Sequence, residues 1–500
     1  MPQLLSTPQS TSLTITSSFR SFFAAAFPIR KGEGNKVLLL TLFKFIISFV
    51  YVSLSTIKKP LMILAHDSGA EAIPVIKMIA VLPLSILLAI SYAWLSNKYQ
   101  PTKIFFYLML LFGAFFVTYI FYLYPNADFF SPYEHASALL ERYPQHRHWI
   151  AVYRHWIHAL NYAMVELFGQ VAIFMIFWGI TNELCTKGDA KRFYHLFIMG
   201  GCLGGYLATQ VVVRSLSRYA TEAQFPLVIE QLIGYAILGI CLMILLYAWM
   251  YYRVFPKDKQ LAQVSKEEEK YRMSFWQSIK YVVRNPYLGA IAITVLACGM
   301  MINLVDVTYD ANVKSLYPNK MDFLRFTARV TSLLLITSAA TTLLVSGGIM
   351  RIFGWKKSAY IAPAMILFSS SLFFLTSKFR DNLGFVQTFL GVENLMFIVM
   401  VGVFQNVANK LGKYAFFDST KEIVYTSLDP HARRKGKAAV DMVGSRIGKS
   451  LSGFVHSFIL WIAATSNVLN ITSILFFFLI LISIPWFLAI RYLDRHVINQ

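Results

Sequence analysis

The chain has 500 residues, 57% of them apolar and 14% charged, and its ionised side chains sum to +21. So few charges cannot cover the surface of a water-soluble protein of this length, which excludes an ordinary soluble domain and makes lipid the main solvent. At about 20 residues per crossing, a dozen helices take up half the chain, and the basic excess falls mainly in the connections.

Residues 1–36 read as an N-terminal tail, rich in Ser and Thr, with Arg20, Arg30 and Lys31 against Glu33. It has no charged, apolar and small-residue layout of a signal peptide, and its stretch from Phe19 to Phe27 suits the membrane surface. Apolar segments follow near 37–63, 71–96, 104–124, 159–183, 194–213, 228–252, 287–309, 327–350, 358–377, 384–408, 438–465 and 470–490. The longest charged connector, 253–286, carries Lys266-Glu267-Glu268-Glu269-Lys270 and an amphipathic stretch from Phe275 to Val283. It separates a six-helix half at 37–252 from a second at 287–490, and 491–500 forms a C-terminal tail. The halves echo each other: Trp94 to Ile104 and Met350 to Tyr360 each set a short basic link between two apolar segments. The fold class is thus an all-α polytopic membrane protein of twelve helices, and two repeated halves around a central site is the logic of a secondary transporter.

Of the 46 Lys and Arg residues, 29 lie in the tails and loops of one side, ten in the alternate loops and seven within spans. Basic residues collect on the cytoplasmic side, so both termini are expected there, in a cell's inner membrane. Cys185, Cys202, Cys241 and Cys298 lack metal or redox spacing and read as small packing residues.

A charge within a span costs roughly 2.5–3.5 kcal/mol on insertion scales, so each needs a reason. The candidates are Lys44, Lys58, Lys59, Lys77, Glu166, Asp306, Arg329, Glu393, Asp441, Arg446 and Lys449. Lys44 and Lys77 are open to snorkelling at an interface, and Arg329 reads as a structural residue at a helix end. Glu393 is an isolated acid in the tenth span, fit for coupling or gating. Lys58 and Asp306 stand at matching depths in the first helix of each half with opposite charge, and Glu166 enters from the same side. Arg446 and Lys449, three residues apart, share a helix face and suit a phosphate chain, a planar fork beside a point charge. A buried ion-pair network that merely orders the helices is the competing reading. Gly444 to Ser450 falls one residue short of a Walker A loop, lacks its first glycine at Val443 and sits in an apolar helix, so ATP hydrolysis is not expected. His146, His148, His155 and His158 read as a solvated interfacial loop rather than a metal site.

Several blocks resemble the nucleotide transporter family of obligate intracellular bacteria and plastids, whose members exchange ATP for ADP. They are Gly69-Ala70-Glu71-Ala72-Ile73-Pro74-Val75-Ile76-Lys77, Glu166-Leu167-Phe168 with Phe177-Trp178-Gly179, and Asp189-Ala190-Lys191-Arg192-Phe193-Tyr194. Further on come Asn303 to Thr308, Asp418 to Glu422, Lys435 to Asp441 and Gly448-Lys449-Ser450. The resemblance implies a major-facilitator-like arrangement of twelve helices that moves nucleotides without hydrolysing them. It also implies two functional lysines and two functional acids, which fall on Lys58, Glu166, Asp306 and Lys449. The first-span pattern departs from the family, reading Leu54-Ser55-Thr56-Ile57-Lys58-Lys59-Pro60-Leu61, and Asp310 stands where lysine is common. Lys59 and Asp310 therefore join Glu393 as coupling or gating candidates. The expected function is nucleotide exchange by alternating access, with no metal, cofactor or nucleic-acid partner, as a monomer in the bilayer. The alternatives are a proton-coupled nucleotide symporter, an NAD/ADP exchanger and, from another class, a polytopic enzyme acting on a phosphorylated lipid.

Overall fold

The expected helices appear in order in a computed structural model, which describes residues 29–30, 32–185, 187–219, 221–254, 275–345, 349–427, 440 and 444–498. Among the described residues, eleven helices are long and apolar enough to cross a membrane: α1 Gly34–Ile63, α2 Ala72–Tyr92, α3 Thr102–Leu123, α4 Trp156–Thr181, α5 Arg192–Arg218, α6 Glu222–Tyr252, α7 Pro286–Leu316, α8 Lys320–Thr342, α9 Gly354–Lys378, α10 Asn394–Tyr425 and, last, α12 Val468–His496. Between the last two lies the shorter α11, Ser445–Ile462. Twelve crossings bring the start of α1 and the end of α12 to one end of the bundle, called here the terminal end; the other is the distal end.

Two spans lie elsewhere than expected. α8 starts at Lys320 rather than near 327, because Asn319 caps it, its side-chain oxygen accepting from the Met321 amide at 2.8 Å. Asp322 and Arg325 pair in its first turns, and those charges hid the start from an apolar reading. The tenth apolar segment is two helices, Gly384–Leu390 and α10, broken at Gly391 with φ +64°. Glu393, expected inside that span, is instead exposed and precedes α10. The amphipathic connector stretch is helical over Phe275–Arg284, and Asn285 caps α7 by accepting from the Tyr287 and Leu288 amides at 3.0 and 3.1 Å. The run Lys266 to Lys270, Asp441 and the tail from Phe19 to Phe27 lie outside the described residues.

Lipid offers no hydrophobic drive between helices, so close approach rests on small residues. α5 packs on α1 through Gly200, Gly201, Gly204 and Gly205, and a Cβ at Gly201 would lie 2.9 Å from Ser48 Oγ. At Gly204 it would strike the Phe45 carbonyl. Where α1 meets α5 at the terminal end, Arg192 grips both Glu33 oxygens at 2.8 and 2.9 Å and Asp189 at 2.6 Å, a bidentate clamp that pulls the Glu33 carboxyl below its usual range.

Each half has its own apolar core, and each core borrows from the other half. Ile73, Val75, Ile76 and Val81 of α2 pack into the second-half core; Met321, Leu324 and Ala328 of α8 pack into the first. The halves approach closely where α11 crosses α2: a Cβ on Gly453 would stand 2.6 Å from the Pro74 carbonyl oxygen.

At the distal end polar ties also cross between halves. Lys314 donates to the Ser68 carbonyl at 2.6 Å, and Asn319 to Glu222 at 2.9 Å. Asp67, with φ +55°, is held by Arg154 at 2.8 Å. The histidine loop is not the solvated one expected. His148 and His155 are buried, and the helix that carries His148, Arg147–Arg154, packs against the start of α2. His155 Nε2 meets the His66 carbonyl at 2.7 Å, while neither ring nitrogen of His148 has a partner among the described residues. No metal cluster is present among the described residues.

Burial holds the His148 imidazole down at about 4, below the ordinary 6.5. A lowered histidine favours folding only while neutral, so its contribution is complete above about pH 6.5 and is lost as pH falls toward 4, on the order of 3 kcal/mol in all. The melting temperature of the purified protein should fall over that interval. His148→Leu should flatten the fall, and an unchanged pH profile would refute the assignment.

Candidate functional site

Between the halves, toward the distal end, four lysines converge on three carboxylates. α1 supplies Lys58 and Lys59. Lys58 is buried and pairs with Glu166 of α4 at 2.5 Å, its Nζ also 4.8 Å from the Tyr162 ring centre and 5.8 Å from that of Tyr51. Lys59 reaches across to α7 and pairs with both Asp310 oxygens, at 2.7 and 3.0 Å. Consecutive residues on a helix point about 100° apart, so Lys58 turns into its own half and Lys59 into the other. That is the consequence of the doubled lysine in the departed first-span motif.

The third lysine, Lys77, is buried at the head of a π-helical segment of α2, Lys77–Val81. Its Nζ donates to Asn303 Oδ1 of α7. The Asn303 amide in turn donates to the Lys449 carbonyl at 3.1 Å and to Ser452 Oγ at 2.9 Å, both on α11. Ser450 closes the loop by donating to the Lys77 carbonyl at 3.2 Å. Three helices from both halves thus share one polar junction.

Lys77, Glu166, Lys449 and Ser450 with Val81 and Leu82 line a cleft of about 10 Å³, room for about one water. A drug-sized ligand needs several hundred Å³, so this cleft is far smaller than one. Asp306 is half-buried and within electrostatic range of Lys59 and Lys77.

The structure brings Lys58, Glu166, Lys59, Asp310, Asp306 and Lys449 to one region. Arg446 is in the first turn of α11, with its side chain outside the described set. Glu393, exposed at the start of α10, is not among them. Of the two acids at that depth, Glu166 is seen to pair with Lys58. Asn303 is a residue that sequence reasoning missed, and Lys77 was legible only as an intramembrane charge open to snorkelling. Lys77 lies near a helix start, where a lysine ordinarily snorkels, and only the fold shows it turned inward. Its signal was the block around Glu71 to Lys77, used for resemblance and not for chemistry.

Chemically, a cluster of this kind can bind a polyanion by exchange. Buried ammonium groups are held by carboxylates and one neutral amide, and an incoming anion can replace these partners without leaving any cation bare.

The TLC ATP/ADP transporter family profile matches residues 12–497. The chain is 33% identical over 463 residues to ADP,ATP carrier protein 1 of Chlamydia trachomatis, covering 90% of this chain and 86% of that one. It is 29% identical over 497 residues to ADP,ATP carrier protein 3 of Rickettsia typhi, covering 96% and 98%. In fold it is similar to the crystal structure of a nucleoside transporter, with TM-score 0.54, 13% identity and coverage of 91% and 99%. It is also similar to a major facilitator superfamily proton:xylose symporter, with TM-score 0.51, 12% identity and coverage of 92% and 95%. Twelve helices in a major-facilitator fold, closed on a lysine–carboxylate cluster and matched along nearly their whole length, place the chain in the TLC ATP/ADP transporter family: it is a multi-pass membrane transporter and not an enzyme.

Proposed function

We propose that the chain exchanges nucleoside phosphates across a bacterial inner membrane, with both termini cytoplasmic, by rocking its halves around the lysine cluster. The observation that carries this reading is Lys77, a buried cation whose hydrogen-bonding partner, Asn303, is neutral, in a cleft shared with Lys449. Phosphate oxygens supply the missing negative charge. Lys77 and Lys449 bind the phosphate chain, and Arg446, one turn nearer the terminal end on α11, extends the clamp.

Lys58 senses the load. When phosphate competes with Glu166 for its ammonium, the pair opens and α1 is freed from α4. Lys59 and Asp310 are the latch between halves, and Asp306 balances the lysines when no anion is bound. An empty carrier then rests closed at the distal end. The bound anion lowers the cost of separating Lys59 from Asp310 by drawing the cation inward.

Proteoliposome uptake of labelled ATP, with and without internal ADP, tests the reading. Uptake should require internal nucleotide and persist with a protonophore. Uptake into empty liposomes that collapses with a protonophore would instead mark a proton symporter, and no uptake of any nucleotide would refute nucleotide transport.

A further inference from the structure

The cluster above leaves one buried cation unused. Lys44 lies ten residues into α1, about 15 Å from its terminal end, and is only 7% exposed. Its Nζ sits 4.8 Å from the Phe177 ring centre and 5.9 Å from that of Trp178, on α4. Among the described residues it has no carboxylate partner. Gly201 of α5 makes space for its stem, since a Cβ there would lie 3.2 Å from Lys44 Cε. A desolvated cation–π contact returns about 2 kcal/mol or more, of the same order as the roughly 2.5–3.5 kcal/mol of placing the charge in a span, but it supplies no counter-charge.

The other half carries a matching wall. α10 contains a π-helical segment, Gly412–Phe417, that displays Tyr414 with 46% of its surface exposed. Lys413 and Lys410 stand over its ring at 5.3 and 5.7 Å. Tyr414 is eleven residues from the terminal end of α10, about 16 Å, so the two walls stand at one depth. Cys202 of α5 is within electrostatic range of both Lys44 and Tyr414, so the two walls lie near one residue of α5.

Residues of α1 connect this region to the central cluster. Lys44, Tyr51 and Lys58 are spaced seven apart on α1 and so lie along one stripe. Tyr51 lies beside Lys58 and is within electrostatic range of Lys413. We propose that Lys44 with Trp178, facing Lys413 with Tyr414, forms a docking subsite for the nucleotide at the terminal end of the pathway. The lysines take the phosphates, and an aromatic ring stacks on the base, an interaction open to any base because each has a π-face. The subsite rests on the transport reading above but is separate from the phosphate site at Lys77 and Lys449.

Initial rates of labelled ATP exchange in inside-out and right-side-out vesicles test it, the terminal end being outermost in the former. Lys44→Gln and Tyr414→Ala should each raise the KM at the terminal face about tenfold and leave the KM at the distal face within twofold. Lys44→Arg should retain the wild-type KM at both faces. Tyr414→Ala keeps the test independent of whether α1 tolerates Lys44→Gln. Equal KM shifts at both faces, or none in either variant, would overturn the subsite while leaving nucleotide transport intact. Wild-type vesicles that exchange no nucleotide would overturn the transport reading and this subsite with it.

Discussion

Lys449→Gln and Lys77→Gln are each expected to lower nucleotide uptake by proteoliposomes about 100-fold or more, with both proteins inserted and folded. Truncating one side of a buried charge contact costs about 2–5 kcal/mol, which spans roughly 30-fold to several thousand-fold in affinity. Glutamine at 77 still has an amide to offer Asn303, so the junction of α2, α7 and α11 keeps a hydrogen bond. The loss should therefore be in transport and not in melting temperature. Near-normal uptake by either variant at matched protein levels would remove that lysine from the phosphate site.

The second large effect separates structure from function at Lys58 and Glu166. Breaking a buried pair by removing one partner costs about 3–5 kcal/mol, because the other charge is left uncompensated, whereas removing both charges together is often nearly neutral. Lys58→Gln and Glu166→Gln should each lower the melting temperature strongly, and the double variant should regain most of that stability. If Lys58 senses phosphate, the double variant remains unable to exchange nucleotide although it is folded. If the pair only orders α1 against α4, exchange returns with stability. Measuring both quantities on the three variants decides between the two roles.

Much of this site was legible as cost. Charges in apolar helices are expensive, so Lys58, Glu166, Asp306 and Lys449 stood out before any fold was known, and the structure gathers them. Partners were not legible. Which carboxylate meets Lys58 depends on helix rotation and on the crossing of α1 with α4, neither of which an apolar stretch encodes. Lys77 was hidden by its place near a helix start, and its inward position shows only in its contact with Asn303 across the halves. Glu393 misled for the opposite reason: an unbroken apolar run from 384 to 408 concealed the break at Gly391, where only backbone conformation separates two helices. The helix count survived such errors because length and hydropathy tolerate displaced boundaries, while site geometry does not.

The contact of Gly453 with the Pro74 carbonyl has a practical consequence for watching this molecule work. A backbone-to-backbone approach admits no probe, so a label or engineered cysteine at 453 would wedge the halves apart and report its own intrusion. Phe454, the next residue, is 56% exposed on the outer surface of the same helix. A small environment-sensitive fluorophore there would ride on this close joint between the halves without entering it, turning the glycine's confinement into a fixed reference for motion.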